Sequence, residues 1–477
     1  MTDLKPLVLD VDGTFLKTDI LFECFWAGLG RHPLQTLAAL RHVRHPQRLK
    51  ETLAGLVDLR VDLLPVNPEV QALAQQCRSA GREVILASAS DEALVTRLAA
   101  HHGLSGRVFA SDGETNLKGE RKAQALVEAF GEGGFDYAGN ETTDIAIWRH
   151  AENALMVGRH AGAERALARE GKSVTMMSEA WRWRDLLRAI RPHQWVKNVL
   201  LFLPMIAAHN LESLTFLMVL AGIVAFSAAA SSIYVVNDLL DLEADRLHAT
   251  KYRRPFASGA VPIKAGMITC ILLGLIALGM GAALGPSFLG IIVLYMIVSL
   301  SYSLQLKRMR WIDIATLAAL YTIRVIAGAV ASGVYISGYL LVFVFPVFLT
   351  LGTVKRLTEL TLATSDERLP GRGYGRGDRS DLLNVAGLGV FSSLLIFFLY
   401  SFSEHAQELY PTRWLLWVAL IPIAAWLIRM VRLGYAGKQD YDPIVFALKD
   451  KRGIGLIMIT LSLMFYAAGL WQEWFGG

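Results

Sequence analysis

Apolar residues are spread unevenly along the chain. Up to about Ala180 they alternate with charged residues in short segments, and from Ala189 onward they gather into runs of membrane-crossing length that recur to the C-terminus. Against a requirement of roughly 17 to 25 residues per span, these runs predict nine helices, at about 189–208, 214–236, 265–284, 288–302, 312–330, 339–354, 382–402, 414–428 and 454–470. No period-two alternation appears, which excludes a barrel. In the first part, "PLVLDVDGTFLKTD", "REVILASAS" and "FDYAGNETTDIAIW" read as short apolar strands whose ends carry polar groups, the pattern of a parallel α/β sheet. The chain is therefore cut near Trp181, into 1–180 and 181–477.

Composition agrees with this cut. With 53% hydrophobic residues in 477, the chain is too apolar for an ordinary soluble enzyme. The opening "MTDLKPLVLDVDGT" lacks a basic segment followed by an apolar one, so the first domain is expected to stay in the cytosol. Cys24, Cys77 and Cys270 have neither metal nor disulfide spacing, which fits a reducing compartment. The net charge of +5 points to a membrane surface and anionic ligands, with no nucleic acid expected. With a cytosolic N-terminal domain, the loops after even-numbered spans carry Arg246, Lys251, Arg253, Arg254, Lys307, Arg308, Arg310 and further bases, whereas the opposite loops hold little beyond Arg413. That asymmetry satisfies the positive-inside rule for an inner, plasma-membrane protein.

The densest charge lies in "YVVNDLLDLEADRLHATKYRRPFASG", 234–259. Asn237, Asp241 and Asp245 fall at i, i+4 and i+8, so on one helix they stack on a single face. Carboxylates so placed repel unless a cation lies between them, and hard oxygen ligands at this spacing suit Mg²⁺ shared with a substrate's phosphates. His248, Lys251 and Arg254 follow as bases for the rest of a polyphosphate. Arg324, mid-span, returns to nearly the same helix face as Asp313, and an arginine in lipid is costly unless used. It is read either as an internal ion pair or as a binder of phosphate.

The N-D-x-x-D-x-x-x-D string and the following "RLHATKYRRP" resemble the first aspartate motif of the UbiA superfamily of intramembrane prenyltransferases. "IRPHQWVKNVLLFLP", "SYSLQLKRMRWIDI", "YTIRVIAGAVA", "VKRLTEL" with "GRGYGR", and "YDPIVFALKDKRG" resemble, in order, its polyprenyl-phosphate phosphoribosyltransferase branch, the decaprenyl-phosphate phosphoribosyltransferase family. One departure separates it from the aromatic prenyltransferases: their second D-x-x-x-D motif here has Asp313 followed by Leu317. The resemblance implies nine membrane helices, Mg²⁺ at Asn237, Asp241 and Asp245, and transfer of phosphoribose from phosphoribosyl pyrophosphate to a polyprenyl phosphate. It also implies substrate contacts from Lys197, His248, Lys251, Arg254, Lys307, Asp313, Arg324, Lys355, Arg356 and Glu359.

In the first domain, Asp10 and Asp12 before a Gly-Thr turn, then Ser88, Lys122 and Asp144, resemble in order and spacing the four motifs of the haloacid dehalogenase (HAD) phosphatase superfamily, with 18–64 as a helical cap. That implies an α/β Rossmann-like fold with Asp10 as nucleophile, Asp12 as acid/base, Ser88 and Lys122 as phosphate binders, and Asp10, Asp12 and Asp144 around Mg²⁺. The chain departs where the usual Gly-Asp reads Gly139-Asn140. The whole is expected to be an α/β domain fused to an all-α membrane domain, the first removing the 5-phosphate from the product of the second. Its expected partners are phosphoribosyl pyrophosphate, a polyprenyl phosphate, the bilayer and, in a homo-oligomer, further copies of itself. The rival readings are a prenyltransferase using a prenyl diphosphate beside a regulatory or inactive HAD domain, and a transporter with an acidic ion site.

Overall fold

The computed structural model describes residues 4–112, 115–177, 181–363, 372–439 and 442–476. The expected boundary at Ala180, and Gly371 and Tyr441 of the quoted segments, lie outside them. The chain forms two compact units, Met1–Ile190 with Tyr234–Ile271, and Arg191–Ile233 with Leu272–Gly477.

The first unit is built on a parallel sheet of β1 (Leu7–Asp10), β2 (Val84–Asp91), β3 (Val108–Ser111), β4 (Asp136–Gly139), β5 (Ala154–Val157) and β6 (Val174–Met177), in the order 3-2-1-4-5-6. All four residues of β1 are buried, as an unbroken apolar strand covered on both faces requires. Its neighbours β2 and β4 lie on opposite sides, so the winding reverses there and a crevice opens at the strands' carboxyl ends, where Asp10 stands.

Between β1 and β2 the chain inserts α1 (Ile20–Arg31), α2 (Pro33–Ala39) and α3 (Pro46–Leu56). Asp19 caps α1 by accepting from the Phe22 amide at 3.2 Å, and Pro33 and Pro46 open the next two, where a missing amide costs nothing. Leu16, Ile20, Cys24 and Leu53 of this region pack with Leu7, Leu9 and Leu86 of the sheet. Val8, Leu126, Tyr137 and Trp148 fill a second cluster. A third joins Trp26 of α1 to Val235, Leu239, Leu242, Phe256 and Val261, which brings segment 234–271 into this unit.

The remainder is helical. Among the described residues, seven helices are long and apolar enough to cross a membrane: Ser213–Leu240, Ile263–Ala283, Pro286–Leu304, Ile312–Ser332, Gly338–Leu362, Arg376–Tyr400 and Trp414–Tyr435. Nine were expected from hydropathy, and the two shortfalls have physical causes. The first expected span is broken into a 3₁₀ run, Pro192–Phe202, and a short helix, Leu203–Ala207. Pro192 lacks an amide and disfavours the helical conformation at Arg191, whose φ is 53°, and Pro204 interrupts the ladder again. The last, Lys451–Ala467, has 17 residues and falls short of the other spans.

Gly328 decides how the broken segment seats. A Cβ there would stand 2.0 Å from the Leu201 carbonyl oxygen, so only glycine lets the 3₁₀ run lie directly on the Ile312–Ser332 helix.

Candidate active sites

Three constellations of polar residues stand out, one in the crevice of the parallel sheet, one in 234–259, and one within the second unit.

In the crevice the expected residues do converge. Lys122 donates to Asp10 Oδ1 at 2.7 Å and also to the Ala87 carbonyl and Tyr137 Oη, both at 3.2 Å. Burial pushes the Asp10 carboxyl up to about 7 against the pull of Lys122. Burial also disfavours the Lys122 ammonium, yet Asp10 and Asp144 outweigh it and raise its pKa. Asp12 Oδ2 accepts from Ser88 Oγ at 3.0 Å and Ser90 Oγ at 2.7 Å, and its Oδ1 from the Ile20 amide at 2.8 Å. Ser90, which the motif reading did not single out, therefore holds Asp12 more closely than Ser88 does. Its signal was its place two residues on, at the same face of β2.

Asp144 is not open as a ligand. Its Oδ1 accepts from Tyr137 Oη at 3.0 Å, and its Oδ2 from the amides of Asn140 and Glu141 at 3.0 and 2.9 Å. It thus staples the turn after β4. Asn140 Oδ1, in contrast, is buried without a hydrogen-bond partner, beside Gly13. Gly13 has φ +77°, and a Cβ there would meet the side-chain Nδ2 of Asn140 at 2.2 Å. An orphaned amide oxygen near Asp10 and Asp12 suits a hard cation completed by substrate oxygens.

In 234–259 the long span ends at Leu240, yet the helical ladder continues across the break. The Asp241 amide donates to the Asn237 carbonyl at 3.0 Å, and the Asp245 amide to the Asp241 carbonyl at 2.8 Å. Asp241 itself stands at φ −100°, ψ 14°, outside the helical region, at the break between the two helices. Asn237 Oδ1 is buried with no partner, again an oxygen placed for a ligand. Arg254 bridges Asp245 at 2.6 Å and Asp238 at 3.1 Å. Burial raises the Asp245 carboxyl, and Arg254 partly offsets it. Asp238, not chosen from sequence, is thus part of the cluster. Lys251 is half-buried and His248 exposed, its Nδ1 accepting from the Thr250 amide at 3.2 Å. Among the described residues, no three or more His, Cys, Asp or Glu side chains gather as a metal cage. An ion here would rest on one or two carboxylates, the Asn237 oxygen and a substrate's phosphates, the set Mg²⁺ commonly takes.

A buried ion pair ties this segment to the N-terminal helices. Arg246 donates to both carboxylate oxygens of Glu23 on α1, at 3.0 and 2.6 Å, and to the Ala257 carbonyl at 3.0 Å. Glu23 also accepts from Thr18 Oγ1 at 2.6 Å, and the Thr18 carbonyl accepts from the Gly13 amide at 3.1 Å, in the turn that follows Asp12. Replacing Arg246 by Met strands the Glu23 carboxylate and is expected to lower stability by about 2 kcal/mol. The swapped double variant Glu23→Arg/Arg246→Glu should recover part of that loss in thermal unfolding of the purified protein. Equal damage from the swap and from the single change would rule the pair out as the cause.

In the second unit, Lys197 pairs with Asp442 at 2.6 Å, and Tyr321 Oη reaches the same carboxylate at 3.4 Å. Burial disfavours the Asp442 anion, but Lys197 and Lys355 more than offset that and hold its pKa at about 2. Arg324 donates to Asn198 Oδ1 at 3.1 Å, Tyr295 Oη at 3.0 Å and the Leu320 carbonyl at 2.7 Å. It clamps the 3₁₀ run to two spans. Arg356 and Asp313 are fully buried and joined at 2.5 and 2.8 Å, with Tyr302 on both and Glu359 at 2.5 Å from Arg356. Lys307 and Lys355 are half-buried. An apolar cavity of about 370 Å³ lies among Leu200, Leu203, Val344, Phe348, Trp426 and Ile444, the last two residues along from Asp442.

These placements can be set beside known proteins. A relative from Sinorhizobium fredii, the uncharacterized protein y4nM, is 33% identical over 473 residues, 96% of this chain and 90% of its own. The decaprenyl-phosphate phosphoribosyltransferase of Mycobacterium tuberculosis is 33% identical over 276 residues, 56% of this chain and 88% of that enzyme. A solved UbiA homolog from Archaeoglobus fulgidus, bound to GPP and Mg²⁺, aligns with a TM-score of 0.45 and 14% identity over 60% of this chain and 99% of its own. The description of the UbiA prenyltransferase family matches residues 199–449, more than half of the 477. On that match, and with its membrane-length helices and the acid-rich stretch at the end of one of them, the chain belongs to the UbiA prenyltransferase family.

Proposed function

We propose that the membrane part transfers phosphoribose from phosphoribosyl pyrophosphate to a polyprenyl phosphate, and that the α/β domain, a HAD-like phosphatase comprising about residues 1–180, then removes the 5-phosphate. The observation that carries the first step is the single acidic cluster, Asn237, Asp238, Asp241 and Asp245, followed by Lys251 and Arg254, with apolar Leu317 where a second carboxylate would serve a prenyl diphosphate. The mycobacterial relative, a decaprenyl-phosphate phosphoribosyltransferase, supports the same transferred group and the same class of acceptor.

In the transfer, an oxygen of the lipid phosphate attacks the ribose anomeric carbon as the bond to pyrophosphate breaks, with inversion. That phosphate is already ionised at neutral pH, so the residues' task is to position the donor and stabilise charge. Asn237, Asp241 and Asp245 would hold Mg²⁺, which supplies charge neutralisation to the departing pyrophosphate. Arg254 and Lys251 grip its phosphates, Lys197 and Lys355 are assigned to the lipid phosphate, and Arg356, sealed against Asp313, braces the helices beside it. The apolar cavity beside Ile444 offers room for part of a lipid chain.

In the second step, Asp10 Oδ attacks the 5-phosphorus and the sugar oxygen leaves, taking a proton from Asp12. Water then opens the aspartyl phosphate as Asp12 accepts its proton. Ser88 and Lys122 hold the phosphoryl oxygens. Asp10, Asp12 and the orphaned oxygen of Asn140 would hold the ion that screens their charge. The positive loops support a place for this domain on the cytosolic side of the plasma membrane.

Purified full-length protein given labelled phosphoribosyl pyrophosphate, polyprenyl phosphate and Mg²⁺ should release pyrophosphate and label the lipid, and chelation should stop it. Asp241→Asn should slow that transfer by roughly 10²-fold. Label moving instead from a prenyl diphosphate, or transfer indifferent to chelation and to Asp241, overturns the reading.

A further inference from the structure

The helical insertion of the first unit carries a surface that its own fold leaves uncovered. Along α2 and the turn after it, Leu34, Leu37, Leu40 and Val43 recur every three residues and stand 81%, 51%, 39% and 62% exposed. Thr36 and Ala39 face inward instead. The outer face of a helix on a water-soluble domain is normally polar, so this one is inverted.

Charge narrows what can cover it. From Cys24 to Lys50 there is no acid, while Arg31, Arg41, Arg44, Arg48, Lys50 and three histidines occur. Arg41, Arg44 and Arg48 are exposed beside the apolar row. Position narrows it further. A Cβ on Gly30, near the end of α1, would lie 3.7 Å from the carbonyl oxygen of Leu240, the last residue of the membrane-length Ser213–Leu240 helix. The next residue, Arg31, pairs with Glu243. The chain therefore enters α2 beside the point where a spanning helix ends.

We propose that α2 and the turn to α3 lie in the headgroup layer of an anionic bilayer, with the leucines and Val43 at the acyl boundary and Arg41, Arg44 and Arg48 on lipid phosphates. An apolar face flanked by bases inserts about 5–10 Å in this way. The anchored element reaches the crevice directly: Lys50 on α3 donates to the Ala89 carbonyl at 2.5 Å, between Ser88 and Ser90, and the Ile20 amide holds Asp12. If the phosphatase reading above holds, the anchor presents that crevice to a substrate whose lipid tail stays in the membrane.

The test uses the full chain with Cys77 and Cys270 replaced by Ser, in nanodiscs of phosphatidylcholine with or without phosphatidylglycerol. An environment-sensitive fluorophore is attached at Leu37→Cys or Val43→Cys, with Ser79→Cys, on an exposed helix end, as control. Labels at 37 and 43 should shift to the blue, be quenched by lipid-borne nitroxide and be shielded from iodide, most strongly with phosphatidylglycerol, whereas the label at 79 should behave oppositely. Iodide quenching at 37 and 43 equal to that at 79 overturns the proposal, as does shielding that appears only on adding another protein. The variant Leu34→Glu/Leu40→Glu changes exposed positions only and leaves 37 and 43 free for the label. It should lose label insertion and slow phosphate release from the lipid-linked substrate several-fold, with hydrolysis of a small water-soluble phosphomonoester unchanged. Labels that insert normally in a protein that hydrolyses neither substrate support the docking and refute only the phosphatase reading.

Discussion

Asp10→Asn should cut phosphate release by on the order of 10³-fold or more while leaving pyrophosphate release from phosphoribosyl pyrophosphate unchanged. The amide has nearly the shape of the carboxylate, and Lys122 keeps its contacts to the Ala87 carbonyl and Tyr137 Oη, so the crevice should survive the change. What is lost is the group proposed to attack phosphorus, at the carboxyl end of β1. Measuring the two released anions separately on the same sample separates the chemistries. Phosphate release that persists in the variant excludes Asp10 as the attacking group. A parallel fall in pyrophosphate release instead places the damage in the fold that both steps share.

Arg356→Met is expected to destabilise the protein by roughly 3–5 kcal/mol, because it leaves the Asp313 carboxylate charged in a site with no access to water. Tyr302 still donates to Asp313 at 2.9 Å and Arg372 approaches to 3.5 Å, but neither replaces a two-bonded guanidinium. The double variant Asp313→Leu/Arg356→Met removes both charges and should recover more than half of the loss in thermal unfolding in detergent. Failure to recover would mean that Arg356 acts chiefly through Glu359, which stands 2.5 Å away.

Much of this architecture was legible from local signals. Hydropathy located the long spans because a membrane helix must satisfy its backbone internally and cover itself with apolar side chains, and that leaves a run visible without any tertiary knowledge. It failed at 189–208, where composition met the criterion but Pro192 and Pro204 broke the backbone. Asp10, Asp12, Ser88 and Lys122 were readable because parallel strands end at one edge, so three separate motifs had to meet. The role of Asp144 was not readable, since its oxygens go to amides of its own turn and to Tyr137. Pairings across long sequence distance were equally hidden. Glu23 and Arg246 are 223 residues apart, and Arg356 and Asp313 are 43 apart, with no periodicity linking either pair.

The cluster of Trp26 with Val235, Leu239, Leu242, Phe256 and Val261 bears on how the chain is made. The first unit closes only when residues up to Ile271 are in place, and the apolar stretch 213–240 must leave the ribosome and enter the lipid before that happens. Maturation of the α/β half is therefore tied to insertion. A fragment ending at Ile190 would emerge with one side of Trp26 bare, which marks it for chaperones and aggregation rather than for use as a free-standing module.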